Sequence, residues 1–152
     1  MGSRLFKLND NCFYAYLAGF LDGDGCITIR FEKSKTTRLK YRSRVRVSFT
    51  QHKSKREVLD QFCKKIGSGK VAEYDHNKMA EYVIYDQKVI KKLLKDIEPY
   101  VFVKRRHLLI AQKLLNLKNN GYNKDSLEQM LKLRKSIAAL NNYSKKFESL
   151  TP

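Results

Sequence analysis

The stretch Leu17-Ala18-Gly19-Phe20-Leu21-Asp22-Gly23-Asp24-Gly25 decides the reading of this chain. Ala15, Ala18, Gly19 and Asp22 follow i, i+3, i+4, i+7 spacing and so share one face of a helix. That face carries almost no side-chain bulk, and two copies of it can pack backbone to backbone. Gly23 and Gly25 are expected to break the helix and flank Asp24. A carboxylate at a helix C-terminus faces the negative end of the helix dipole. A divalent cation resolves that conflict, and a second carboxylate from a partner helix strengthens such a site. The competing reading is a core helix followed by a Gly-Asp turn, which many short Gly/Asp strings permit.

The 152 residues suit one compact domain spanning 1–152, with its core from about residue 11 to 142. Thirty-two Lys and Arg against 15 Asp and Glu give a formal net charge of +17 and a pI near 9.9. A charge of that sign and size calls for a polyanionic partner. No apolar run approaches the roughly 18 residues of a spanning helix, and no secretory leader is expected. Met1-Gly2-Ser3 fails the myristoylation pattern, because Phe6 stands where Ser or Thr is needed. The basic residues are spread along the chain, so nucleic acid is expected rather than a membrane. Cys12, Cys26 and Cys63 are too few and too far apart for a disulfide framework or a CxxC metal site, which fits a reducing, intracellular compartment. His52, His76 and His107 have no ligand-spaced neighbours, so no zinc site is expected. There is no phosphate-binding Walker loop and no Gly-x-Ser-x-Gly elbow, and no small-molecule cofactor is expected.

Periodicity and punctuation give an α+β chain in the order α-β-β-α-β-β-α-α-α. A helix is expected from about Asn11 to Asp22, then strands at about Cys26–Phe31 and Tyr41–Thr50 around a basic hairpin loop. Ser54-Lys55-Arg56-Glu57 has the pattern of a capping box opening the second helix, which Gly67 closes. Strands at about Gly69–Tyr74 and Glu81–Tyr85 follow, turned by Asp75-His76-Asn77-Lys78. Asp86 caps the next helix and Pro99 ends it; amphipathic helices follow at Arg105–Leu117 and Asp125–Leu140, the last opening on Asp125-Ser126-Leu127-Glu128.

In the second strand Arg42, Arg44, Arg46 and Ser48 alternate with Ser43, Val45, Val47 and Phe49. Period two sends the arginines to one face and the apolar residues to the other. Stacked like charges repel unless an anion lies against them, and arginine reads guanine in a major groove that admits a β-ribbon. Thr28, Arg30 and Glu32 from the first strand, Ala72 and Tyr74 from the third, and Glu81 and Val83 from the fourth complete an expected polar DNA-facing sheet surface. In the loop, Lys33, Lys35, Arg38 and Lys40 suit phosphates, as do Lys145 and Lys146 near the C-terminus. The loop is expected to be mostly disordered without DNA.

From about Phe13 to Asn142 the chain resembles the LAGLIDADG homing endonucleases, and most of all their small single-motif, homodimeric branch. The string at 17–25 carries the resemblance almost letter for letter. Thr50-Gln51, Ile66-Gly67-Ser68-Gly69-Lys70-Val71, Glu98-Pro99-Tyr100-Val101-Phe102-Val103-Lys104 and Ile137-Ala138-Ala139-Leu140-Asn141 are similar to further stretches of that family. The resemblance implies an αββαββα core with a four-stranded antiparallel DNA-binding sheet and extra C-terminal helices. It implies that Asp24 binds the catalytic Mg²⁺, or Mn²⁺ or Ca²⁺ in its place, with help from the Gly23 carbonyl. Gln51 and Lys104 are implied around the metal-bound water and scissile phosphate. Lys55 falls where the family often has arginine, which keeps the charge but loses the bidentate fork.

The implied activity is a metal-dependent, sequence-specific double-strand break in a long pseudopalindromic DNA target. One motif gives one interface helix, so two chains are needed, meeting through Ala15, Ala18, Gly19 and Asp22. The competing functions are an RNA maturase that assists intron splicing and a catalytically silent DNA-binding module; the retained Asp24, Gln51 and Lys104 favour cleavage. Abundant Lys, Asn, Ile and Tyr hint at an AT-rich genome, that of a chloroplast, a mitochondrion or a prokaryote.

Overall fold

Asn9 opens the first helix by accepting the Cys12 N–H on its side-chain oxygen at 2.8 Å. In the computed structural model, which describes residues 4–36 and 39–142, that helix, α1, runs Asp10–Asp24. It is followed by β1 (Gly25–Lys33), β2 (Tyr41–His52), α2 (Arg56–Ile66), β3 (Lys70–Tyr74), β4 (Met79–Ile84), α3 (Gln87–Ile97), α4 (Arg105–Asn119) and α5 (Lys124–Asn141). The order and class are those expected from the sequence. The four strands form one antiparallel sheet in the order β1-β2-β4-β3. Val47 faces Ile84 and His52 faces Met79 across β2 and β4, and Lys70 to Tyr74 of β3 run along the other side of β4.

The chain divides into two compact units, Met1–Cys26 with Arg46–Arg105, and Ile27–Val45 with Arg106–Pro152. The first is built on aromatic packing. Phe20 of α1 meets Phe62 of α2 edge to face at 5.0 Å, Phe49 of β2 lies 5.6 Å from Phe62, and Tyr82 of β4 stacks on Phe49. Such offset and perpendicular arrangements suit the ring quadrupole. Leu17, Ala18 and Leu21 bury the inner face of α1, and Ile90, Leu93, Leu94 and Ile97 that of α3.

In the second unit, Val45 and Ile29 are buried from the strands and Leu108, Ala111, Leu114 and Met130 from the helices. Ser43 lies beyond the last residue of β2 that β4 reaches. The Tyr122 hydroxyl serves it instead, accepting the Ser43 N–H at 3.2 Å and donating to its carbonyl at 3.3 Å. Asn141 donates to the Ile27 carbonyl at 3.0 Å.

Several local expectations are corrected. Gly23 does not break α1, which runs on through Asp24; the turn is made by Gly25 alone. The capping box at Ser54 and Glu57 does not form. The His52 ring takes the Ser54 N–H and hydroxyl at the start of a short 3-10 turn, Lys53–Lys55, and Glu57 accepts from Gln61. The last helix is capped not by Asp125 but by Asn123, in a reciprocal box with Ser126. Asp86 and Gly67 act as read: Asp86 accepts from the Lys88 and Val89 N–H groups, and Gly67 ends α2 in the left-handed region at φ 80°.

Gly25 is required by space. A Cβ there would lie 2.7 Å from Leu21 Cα and 2.8 Å from the Leu21 carbonyl oxygen, in the last turn of α1. Helix and strand therefore join without a linker, and Asp24 is delivered to the head of β1. Gly25→Ala should lower stability by about 1–3 kcal/mol, the usual cost of forced overpacking. Urea denaturation will show it as a lower midpoint at unchanged slope.

Candidate active site and nucleic-acid surface

The last four carbonyls of a helix lack intrahelical partners, and α1 satisfies its own unevenly. Gly25 N–H donates to Leu21, Lys104 Nζ to the Asp22 carbonyl at 2.9 Å and Thr50 Oγ1 to the Asp24 carbonyl at 3.1 Å. The Gly23 carbonyl is the one with no partner described among the described residues. The two carboxylates differ in the same way. Asp22 accepts the Phe102 N–H at 2.9 Å on one oxygen and the Lys104 N–H at 3.0 Å on the other. Asp24 is exposed and takes a single described donor, Gln51 Nε2 at 2.8 Å. Both acids sit in the last turn, where the dipole opposes them. Asp22 is compensated by amides, whereas Asp24 is left with one side-chain amide.

An exposed carboxylate beside an open main-chain carbonyl is an all-oxygen donor pair, the type that Mg²⁺ and Ca²⁺ take. No group of three or more His, Cys, Asp or Glu side chains suited to a metal occurs among the described residues. One chain therefore offers part of a coordination shell. The donor set fits a hard divalent cation completed by water, phosphate oxygens or a second chain. Cys26, next to the turn, supplies no thiolate: burial pushes its thiol up, against the pull of Arg46 and Lys104, with Glu81 adding to the rise.

Gln51 and Lys104 are thus brought to the end of α1. Lys55 is exposed at the N-cap of α2. Of the four small-face residues, Ala15 and Gly19 are exposed, Ala18 is buried in the chain's own core, and Asp22 is held by Phe102 and Lys104. The clamp on Asp22 had no local signal in the sequence, because its partners lie 80 and 82 positions away. Thr50 carries no signal in the sequence beyond the Thr50-Gln51 pair, and its role on the Asp24 carbonyl emerges from the turn at Gly25.

On the sheet the arginines do alternate with a buried apolar face, and anions do lie against them, but those anions are the chain's own. In the first unit Arg46 donates to Glu81 at 2.8 Å and to Ser48 at 3.3 Å, with its guanidinium 5.9 Å from the Tyr85 ring. Tyr74 donates to the same Glu81 oxygen at 3.2 Å. Arg46 and Glu81 are only 14% and 15% exposed, and Ser48 and Val83, opposite one another in the ladder, are buried. Ala72 is half-buried and Tyr74 exposed.

In the second unit Glu32 takes Arg42 at 3.1 Å and Arg44 at 3.9 Å. Arg30 is exposed, and the Thr28 hydroxyl is buried with no partner among the described residues. Lys33, Lys35 and Lys40 are exposed around a loop closed by Ser34 N–H on the Lys40 carbonyl at 2.8 Å. Arg38, Lys145 and Lys146 lie outside the described residues. Sequence reading missed Lys118 of α4. Burial, with Arg44 and Arg42 adding to it and Glu32 opposing, lowers its pKa from 10.5 to about 8.

The family model for LAGLIDADG endonucleases matches residues 17–119. The chain is similar to DNA endonuclease I-CreI of Chlamydomonas reinhardtii, 27% identical over 131 residues, which covers 86% of this chain and 79% of that one. It is 30% identical over 117 residues to DNA endonuclease I-CvuI of Chlorella vulgaris, covering 74% and 72%. A crystal structure of I-CvuI in complex with the I-CreI target in the presence of Mg matches with a TM-score of 0.77 at 25% identity, over 86% of this chain and 83% of that one. The fold is shared by an archaeal intron-encoded homing endonuclease, I-Vdi141I, complexed with DNA, with a TM-score of 0.73 at 22% identity over 86% and 84%.

Lys118 gives a stability test in its own unit. Its folded pKa lies below its unfolded one, so between about pH 8 and 10.5 the unfolded chain binds more protons and stability rises with pH. The destabilising contribution is complete below about pH 8. Lys118→Met should therefore raise the Tm at pH 7, and its advantage over the parent should shrink as the pH climbs toward 10. Paired thermal melts across that range read the difference directly.

Proposed function

The chain belongs to the LAGLIDADG endonuclease family, and from that membership we propose that it is a sequence-specific homing endonuclease which cuts both strands of duplex DNA as a homodimer, using a divalent metal. One observation carries the reading. Asp24 is held by Gln51 at the end of α1, beside the open Gly23 carbonyl and a backbone-anchored Lys104. A structural Asp would be capped as fully as Asp22 is.

The roles follow from the donors left over. Asp24 and the Gly23 carbonyl would hold Mg²⁺, which when bound supplies positive charge for the phosphate oxygens and a more acidic water. Gln51 donates to one Asp24 oxygen, which fixes that carboxylate and leaves its own amide oxygen free to accept from a water. Lys104 spends one of its three ammonium hydrogens on the Asp22 carbonyl. The others remain for a phosphate oxygen or the departing 3′ oxygen. No side chain need attack covalently. One chain supplies one such set, so a break in both strands calls for two chains on a target with matching two-fold symmetry. Each chain's four-stranded sheet would face one half-site, with loop lysines on phosphates.

Asp24→Asn keeps the shape and removes the charge. With duplex target and Mg²⁺, cleavage should fall by orders of magnitude in a gel assay, while binding survives or tightens because one negative charge near phosphate is gone. Undiminished cutting would take Asp24 out of the chemistry.

The arginine strand and the loop should separate base reading from phosphate grip. Arg44→Ala should relax preference at one or two base pairs in each half-site, at a cost of about 1–3 kcal/mol of discrimination. Lys35→Ala should weaken all sequences alike and lower the salt slope by about one. Binding titrations on a target library at two salt concentrations distinguish the outcomes; uniform weakening by Arg44→Ala would make that strand a phosphate contact.

A further inference from the structure

Ala15, Gly19 and Gly23 are all exposed on α1 and follow one another at intervals of four, so they form one row. A Cβ at Gly19 or Gly23 would meet nothing within 4 Å, so the chain's own packing does not call for glycine there. Next to the row, the turn before α4 sets out two apolar side chains, Phe102 at 82% exposed and Val103 at 72%. They are held in place, because the amides of Phe102 and Lys104 both donate to the Asp22 carboxylate. Asp22 comes three residues after Gly19 and directly before Gly23, so these side chains stand at the end of the small-residue row. Tyr16, 46% exposed, adds an aromatic ring on the same helix.

We infer that Phe102 and Val103 are the apolar anchor of the contact between two copies of this chain. The inference rests on the homodimer reading above and names what holds that dimer together. Area argues for it. A stable interface buries about 800 Å² per partner, which a row of alanine and glycine cannot supply alone, whereas an aromatic side chain buries about 150–250 Å². Charge argues for the occupant. The patch of Ala15, Tyr16, Gly19, Gly23, Phe102 and Val103 is uncharged on a chain of net charge +17. Two copies that repel elsewhere can meet on an uncharged surface. The small row lets two helices approach closely, and the anchor closes over its end.

Sedimentation equilibrium of the full chain across nanomolar to micromolar concentrations tests this, with Phe102→Ser/Val103→Ser, Phe102→Leu and the parent side by side. The double variant should weaken the dimer by about thirtyfold or more, the scale of a hot-spot anchor. Its circular dichroism should be that of the parent monomer, and Phe102→Leu should keep most of the dimer. A parent that is monomeric throughout would overturn the homodimer reading itself. A parent dimer that the double variant leaves intact would overturn the anchor and spare that reading. Loss of fold in the double variant would also overturn it, because the side chains would then belong to the chain's own core. So would an unchanged dimer with weakened DNA binding, which would place Phe102 against DNA.

Discussion

Two amides on one carboxylate organise the candidate site. Phe102 and Lys104 donate their N–H groups to the two oxygens of Asp22, tying the end of α1 to a turn 80 residues further along the chain. The Lys104 ammonium adds a third bond, to the Asp22 carbonyl. These bonds answer the dipole of α1 at Asp22, whereas the Asp24 carboxylate has only the Gln51 amide described against it. A helix end with two acids is thus split into one structural and one open carboxylate, two residues apart. The placement of Lys104, the exposure of Phe102 and the freedom of the Gly23 carbonyl all derive from that division.

The turn at Gly25 is the second constraint. Because no Cβ fits against Leu21, the helix passes directly into β1. Thr50 and Gln51, at the far end of β2, then reach the carbonyl and carboxylate of Asp24. Three segments distant in sequence, at 22–25, 50–51 and 102–104, are joined by hydrogen bonds, most of them between a side chain and the main chain. Such bonds tolerate drift in the surrounding apolar residues, which accords with a shared fold at 22% to 30% identity.

Much of this was legible in the sequence. The small-residue string, the alternation in β2, the Asp86 cap and the Gly67 stop each rest on residues within a few positions of one another, where periodicity and turn chemistry apply. What escaped was non-local or a matter of competition. The pairing of Arg46 with Glu81, and of Arg42 and Arg44 with Glu32, depends on strand register, which alternation alone does not fix. At Ser54 a histidine ring two residues earlier takes the N–H that a Glu57 carboxylate would accept, and it also holds the hydroxyl that would cap the Glu57 N–H. At the last helix Asn123 preempted Asp125 because it lies three residues before Ser126 and could make the reciprocal box. Gly23 was read as a breaker, yet a glycine one residue from a helix end is held by the bonds on either side.

The Arg46–Glu81 pair bears on how such a protein changes its target. Arg46 and Glu81 share a mostly covered position, with Ser48 and Tyr74 bonded to the same pair. A lone substitution of Arg46 strands a carboxylate with little water around it, and a lone substitution of Glu81 strands the cation. On the proposed DNA-facing role of this sheet, drift toward a new target at this position has few viable single steps, so positions 46 and 81 should be varied together in any library built on this scaffold.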